Sequence, residues 1–146
     1  MSARLLRLIL AAGTACGLAA CGGSTSSSNS VAAPSATVVN ETFTGTVQVM
    51  GTNVHNFTVT TPGAVSVTMT QAGPPATITM GLGIGNPNAA GGCSFIAGGV
   101  TNSAVASTTT PQLSGTLTAS GAYCIAIGDI GNAAGPITYS VTVSHT

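Results

Sequence analysis

Charge is what this chain lacks most. Only 3% of its 146 residues are charged, against about a quarter in an ordinary domain. The basic residues are Arg4 and Arg7, and no lysine occurs. A chain without a basic footprint cannot neutralise phosphates, so neither nucleic acid nor an acidic lipid surface is expected as an electrostatic partner. The acids are Glu41 and Asp129 alone. Two carboxylates act as an acid–base pair only if the fold brings them together. Asp129 sits in a glycine-flanked turn, where an Asp side chain commonly bonds its own backbone, and Glu41 opens a strand. Tryptophan is absent and aromatics make up 3%, which removes most of the platforms that sugar-binding proteins use. There is no G-x-S-x-G, so His55 and His145 have no nucleophile elbow to serve. His55 at a strand start and His145 near a fraying terminus are both expected to be solvated. No C-x-x-C and no local ligand spacing occurs, so no metal and no cofactor is expected. Catalysis is not expected.

What is present is apolar and β-forming. Apolar residues make up 44% of the chain, and Val, Ile, Thr and Gly suit packed strands better than a disordered chain.

Residues 1–20 begin with Arg4 and Arg7 and continue as an apolar run to Ala20. This is a signal-peptide pattern, too short for a stable transmembrane helix. A conventional secretory cut before Cys21 would place Leu18 where a small residue is wanted. Leu18-Ala19-Ala20-Cys21 instead resembles the lipobox of bacterial lipoproteins. That resemblance implies lipidation of Cys21, loss of the leader, and anchoring to a membrane through acyl chains, of which two or three hold durably. Gly22 rather than Asp after the cysteine implies sorting to the outer membrane. Cys16 fits less well, because Gly13 replaces the leucine. The rival is a plain secreted protein. Residues 21–36, rich in Ser, Gly and Thr, cannot bury enough apolar surface to offset ordering entropy. They are expected to form a flexible tether reaching roughly 20 Å.

Residues 37–146 are expected to form one antiparallel β-sandwich, jelly-roll-like, with seven or eight strands. Phe43, Gly45, Val47 and Val49 alternate with polar residues. So do Val65, Val67 and Met69, then Ile78, Met80, Leu82 and Ile84. Later sets are Leu113 and Leu117, Tyr123, Ile125 and Ile127, and Ile137, Tyr139, Val141 and Val143; Phe57 and Val59 add a short strand. Period two places one set inward and the Thr-rich set in water. Residues 85–92 are expected to be a loop, and Cys93-Ser94-Phe95-Ile96 after them is loop-like. Phe95, in such a stretch, either plugs the sandwich end or offers an exposed contact. Cys93 and Cys124 are left for a disulfide, the default for an exported chain. Closing about 31 residues would restrain the unfolded chain by roughly 3–4 kcal/mol.

The last third, Gly121-Ala122-Tyr123-Cys124-Ile125-Ala126-Ile127 and then Tyr139-Ser140-Val141-Thr142-Val143, resembles the end of bacterial pre-peptidase C-terminal (PPC)-like domains. Phe57-Thr58-Val59 and Gly63-Ala64-Val65-Ser66-Val67-Thr68-Met69 are similar to their upstream hairpin. The resemblance covers about residues 40–146. It implies a jelly-roll-like sandwich, usually non-catalytic, attached to exported proteins. This chain departs from the pattern in lacking a neighbouring catalytic domain and the acid cluster that lets some relatives hold calcium.

The expected function is therefore a lipid-anchored envelope module that binds an envelope protein or a glycan, or acts as a spacer. Contact is expected through residues 85–92, 97–110 or 131–136, or through a strand edge. A self-associating structural protein is the main rival, since edges without lysine are poorly blocked. An accessory subunit of a hydrolase is the lesser one.

Overall fold

The computed structural model describes residues 35–146. The leader, Cys16, Cys21 and nearly all of the tether lie outside the described residues. The described chain forms eight strands: β1 (Val39–Val47), β2 (Thr52–Val59), β3 (Gly63–Gly73), β4 (Met80–Pro87), β5 (Cys93–Ala104), β6 (Leu113–Leu117), β7 (Gly121–Asp129) and β8 (Ile137–His145). No helix occurs among the described residues.

Two four-stranded sheets result, ordered β1-β8-β3-β6 and β2-β7-β4-β5. Every pairing is antiparallel. Only the β4–β5 link stays within one sheet; every other link crosses between the two. This is the wrapped connectivity of a jelly roll. The expected sandwich is the observed one, with the higher strand count.

The alternation explains the layers. Val65, Val67, Met69, Val141 and Val143 face inward from one sheet, and Met80, Leu82, Ile84, Ile125 and Ile127 from the other, all buried. Each such side chain contributes about 1.5–3 kcal/mol on leaving water. The outer face of the first sheet is hydroxylated. Thr42 lies opposite Thr142, itself opposite Thr68, and the Thr42 and Thr142 hydroxyls are 3.1 Å apart. Among the described residues, no buried side-chain nitrogen or oxygen lacks a partner.

Three expectations need correction. Val49 is not part of β1; it lies exposed in the turn that follows. Phe57 and Val59 belong to an eight-residue strand, not a short one. Cys93–Ala104 is strand, the loop-like Cys93-Ser94-Phe95-Ile96 included. Its alternation is hidden by a large irregularity. Gly83 pairs with Val100 and Gly85 with Phe95, so Ile96–Gly99 leaves the register opposite Ile84. Gly98 takes the left-handed φ of 73° that this excursion needs. The excursion brings Ile96 against the core at the open side between β5 and β6.

Cys93 and Cys124 are joined, with Cα atoms 5.8 Å apart. Cys124 lies in β7 opposite Gly85, and Cys93 opens β5 opposite Pro87. The link therefore ties the start of an edge strand to the sheet interior, past the end of β4. Replacing both cysteines by serine should lower stability by about 3–4 kcal/mol, since a loop of this length is released. Urea unfolding should then show a midpoint lower by roughly 1–3 M; an unchanged midpoint would mean the link does not restrain the unfolded chain.

Candidate functional site

The side chains that carry chemistry fall in three places. The first is the open side between β1 and β2. Asn53 faces the Thr46 carbonyl at 3.0 Å. A carbonyl only accepts, so the amide nitrogen must be the atom turned toward it. That nitrogen also donates to the Tyr139 hydroxyl at 3.1 Å. The Tyr139 hydroxyl also shares a hydrogen bond with His55 Nε2, 2.6 Å away. The imidazole stacks on Phe43, ring centroids 4.9 Å apart. Burial holds the His55 pKa below its ordinary 6.5. Burial also raises that of Tyr139, against the opposing effect of the Asn53 hydrogen bond. Gly45 makes the arrangement possible: a Cβ there would stand 2.6 Å from the Tyr139 hydroxyl.

At the other end of β1, His145 Nε2 lies 3.0 Å from Glu41 Oε1. The imidazole is 3% exposed and tilts over Phe57 at 5.1 Å. Both histidines were expected in solvent, and both are instead built into the seam joining the sheets. The reason is register. Positions 39 and 65 flank His145 in β1 and β3, so the terminus is a central strand and does not fray. His55 sits on the inward face of β2, in phase with Phe57.

The second place is the β7–β8 turn. Asp129 Oδ1 accepts from the backbone N–H groups of Gly131, Asn132 and Ala133 at 3.0–3.1 Å. Its Oδ2 accepts from the Met50 N–H at 2.8 Å. These bonds, Met50's foremost, hold its pKa below 3.8. Asp129 fastens the β1–β2 turn to the β7–β8 turn, while Glu41 lies at the opposite end of β1. The fold does not bring the two acids together. Among the described residues, no three His, Cys, Asp or Glu side chains converge as a metal-binding group.

The third place is the outer face of the β2-β7-β4-β5 sheet. A shallow cleft of about 180 Å³ opens there, floored by Gly81, Gly83, Ala126 and Gly128. Its walls are Phe95, Val100 and Ile130, exposed by 51%, 47% and 44%. Two of these walls, Ile130 and Phe95, rest on a missing Cβ. At Gly81 a Cβ would stand 3.2 Å from Ile130 Cγ2 and 3.3 Å from Asn102 Oδ1. At Gly83 it would enter the Phe95 ring, and at Gly128 it would approach Thr52 Oγ1 to 3.0 Å. Phe95 thus does not plug the sandwich end: it is half exposed and lies on the sheet against Gly83. Two other hollows lie elsewhere on the described residues. One is a slot of about 80 Å³ closed by Ile96 against β6; the other is a shallow hydroxyl-lined trough of about 410 Å³ beside His145.

Sequence reasoning missed this cleft, although β4 carried a signal for it. Gly81, Gly83 and Gly85 occupy three successive positions opposite the core face, where a strand solvated on that side would carry Thr or Ser. The link from Cys93 fixes the strand two residues before Phe95, so the expected cysteine pair belongs to the same structure. Cys21 lies outside the described residues. No protein-family model matches the chain, and no curated protein matches it in sequence.

Two outcomes follow for the seam. Gly45→Ala should destabilise the chain by about 1–3 kcal/mol through overpacking against Tyr139, whereas Gly115→Ala, with nothing within 4 Å, should cost little; equal denaturation midpoints for the two would contradict the assigned geometry. Because the folded His55 pKa is lowered, the unfolded chain takes up its proton first as pH falls. The stability that neutral His55 supplies is therefore complete above pH 6.5 and declines below it, toward the lower folded value. Denaturant midpoints measured from pH 7.5 downward should fall in that window, and His55→Gln should flatten the slope.

Proposed function

We propose that this chain is a lipid-anchored lipoprotein of the bacterial envelope, resembling PPC-like domains, whose sandwich is a non-catalytic binding module for an envelope protein or glycan. The single observation that carries the binding reading is the cleft beside Phe95. Exposed apolar side chains around a preformed floor are what a binding surface presents and what a mere spacer has no use for.

The acids support the non-catalytic half of the reading. Glu41 is paired with His145 and Asp129 fastens two turns, so each has a structural employment and the two are too separated to act on one bond. The anchoring half rests on Leu18-Ala19-Ala20-Cys21, and export supports the Cys93–Cys124 link through its oxidising destination. Self-association is the less favoured reading. The edge strands carry their own blocks: Glu41 and His55 turned inward on β1 and β2, the Ile96–Gly99 excursion on β5, and only five residues in β6.

Mass spectrometry of the purified membrane form should find acyl chains on an amino-terminal Cys21, and Cys21→Ser should move the chain to the soluble fraction. An unmodified Cys21, or a mature start elsewhere, would defeat the anchor. The soluble Cys21→Ser chain should still sediment with isolated envelopes. Replacing both Phe95 and Val100 by serine should weaken that by about tenfold, as truncating central contacts does; undiminished sedimentation would defeat the cleft as the binding surface.

A further inference from the structure

We infer that the cleft beside Phe95 is a subsite for one ring of a neutral sugar chain, an inference that rests on the binding-module reading and names its ligand class. Three features of the cleft decide the class. The first is size. At about 180 Å³ the cleft is smaller than the roughly 300–1,000 Å³ of pockets for drug-sized ligands, so it takes one ring-sized group. A protein partner of standard kind needs on the order of 800 Å² of surface, and three wall side chains do not offer that. The second feature is the pairing of an apolar plane with neutral hydrogen-bonding groups. Phe95 is held flat against Gly83, exposing one side to solvent as a platform for the C–H face of a pyranose. Across the floor, Asn102 Oδ1 stands over Gly81 and Thr52 Oγ1 over Gly128. Neither side chain is hydrogen-bonded to another described side chain. An amide and a hydroxyl each donate and accept, as sugar hydroxyls require.

The third feature is charge. No lysine or arginine occurs among the described residues, so nothing in the cleft can meet a uronic acid, a phosphate or a sulfate. Asp129, the one ionised residue in the lining, would repel an anion, and its oxygens are already occupied by four backbone N–H groups. A cationic ligand would meet a carboxylate already engaged by those four N–H groups. What remains is an uncharged ring with hydroxyls at its edge and hydrogens on its faces. Platform and polar groups sit on strands, not loops, so little ordering cost accompanies binding.

The test is a nuclear magnetic resonance titration of the full chain carrying Cys21→Ser. The probes are cellobiose, N,N′-diacetylchitobiose, D-glucuronate and N-acetyl-tryptophanamide. Either neutral disaccharide should move the amide resonances of Gly83 and Asn102 and the ring resonances of Phe95, with a dissociation constant of about millimolar order. Phe95→Ala should weaken this by about tenfold. Asn102→Ala, an exposed change that leaves the core untouched, should weaken it by about two- to tenfold, the loss of one hydrogen bond. D-glucuronate should bind more weakly than either. The inference is overturned if neither disaccharide moves the cleft resonances, if both variants bind like the parent, or if glucuronate binds equally well. Binding of N-acetyl-tryptophanamide in place of the sugars would also overturn it, and would assign the cleft to a protein side chain. In those cases envelope sedimentation that still depends on Phe95 would leave the binding-module reading standing; its loss of that dependence would bring both down.

Discussion

Missing Cβ atoms are the constraint on which this structure most depends. With so few charges, the sandwich has almost no ionic means of fixing one side chain against another. It uses close approach instead. Tyr139 reaches Asn53 and His55 because residue 45 is glycine, and Phe95 lies on the sheet because residue 83 is glycine. These glycines serve proximity and not backbone conformation, since none of the two takes a positive φ. Glycine in a strand weakens it by leaving nothing to pack, and here the side chain of a neighbouring strand fills the space left. The cost in local strand preference is thereby offset by contact, and the outer face of one sheet acquires relief that a Thr-covered face does not have.

The same economy governs the polar groups. The few titratable side chains of the described region are placed where they connect elements distant in sequence. His145 and Glu41 join the last strand to the first; Asp129 joins two turns; His55 and Tyr139 join the two sheets. The inward charge on β1 and the inward imidazole on β2 also make those edges poor templates for a further strand. Edge protection is thus achieved without lysine, by the position of groups already used for internal bonding.

Much of the fold was legible in the sequence. Val65-Ser66-Val67-Thr68-Met69 and Ile137 to Val143 have clean period-two patterns because they become central strands with one face wet, and both were assigned correctly. The Cys93–Cys124 pair was legible by elimination of the leader and Cys21. β5 was not, because an edge strand with a four-residue excursion has no period to read, and its glycines resemble those of a loop. The histidines were misread for a different reason. Nearness to the end of the chain suggested solvent at His145, but burial there is decided by pairing with strands that lie about 80–105 residues earlier in the sequence. The cleft was half legible: the alternating glycines of β4 marked a face that something covers, while the identity of Phe95 as that something follows only from the β4–β5 register.

The central claim is that Phe95 is a fixed platform on Gly83 in the free protein. The most direct measurement is the set of nuclear Overhauser contacts between the Phe95 ring protons and the Gly83 α-protons, read together with the chemical shift of those α-protons. The account predicts strong contacts and an upfield ring-current displacement at Gly83. Absent contacts and an ordinary glycine shift would mean that the ring is free in solvent, and the cleft would lose its aromatic wall.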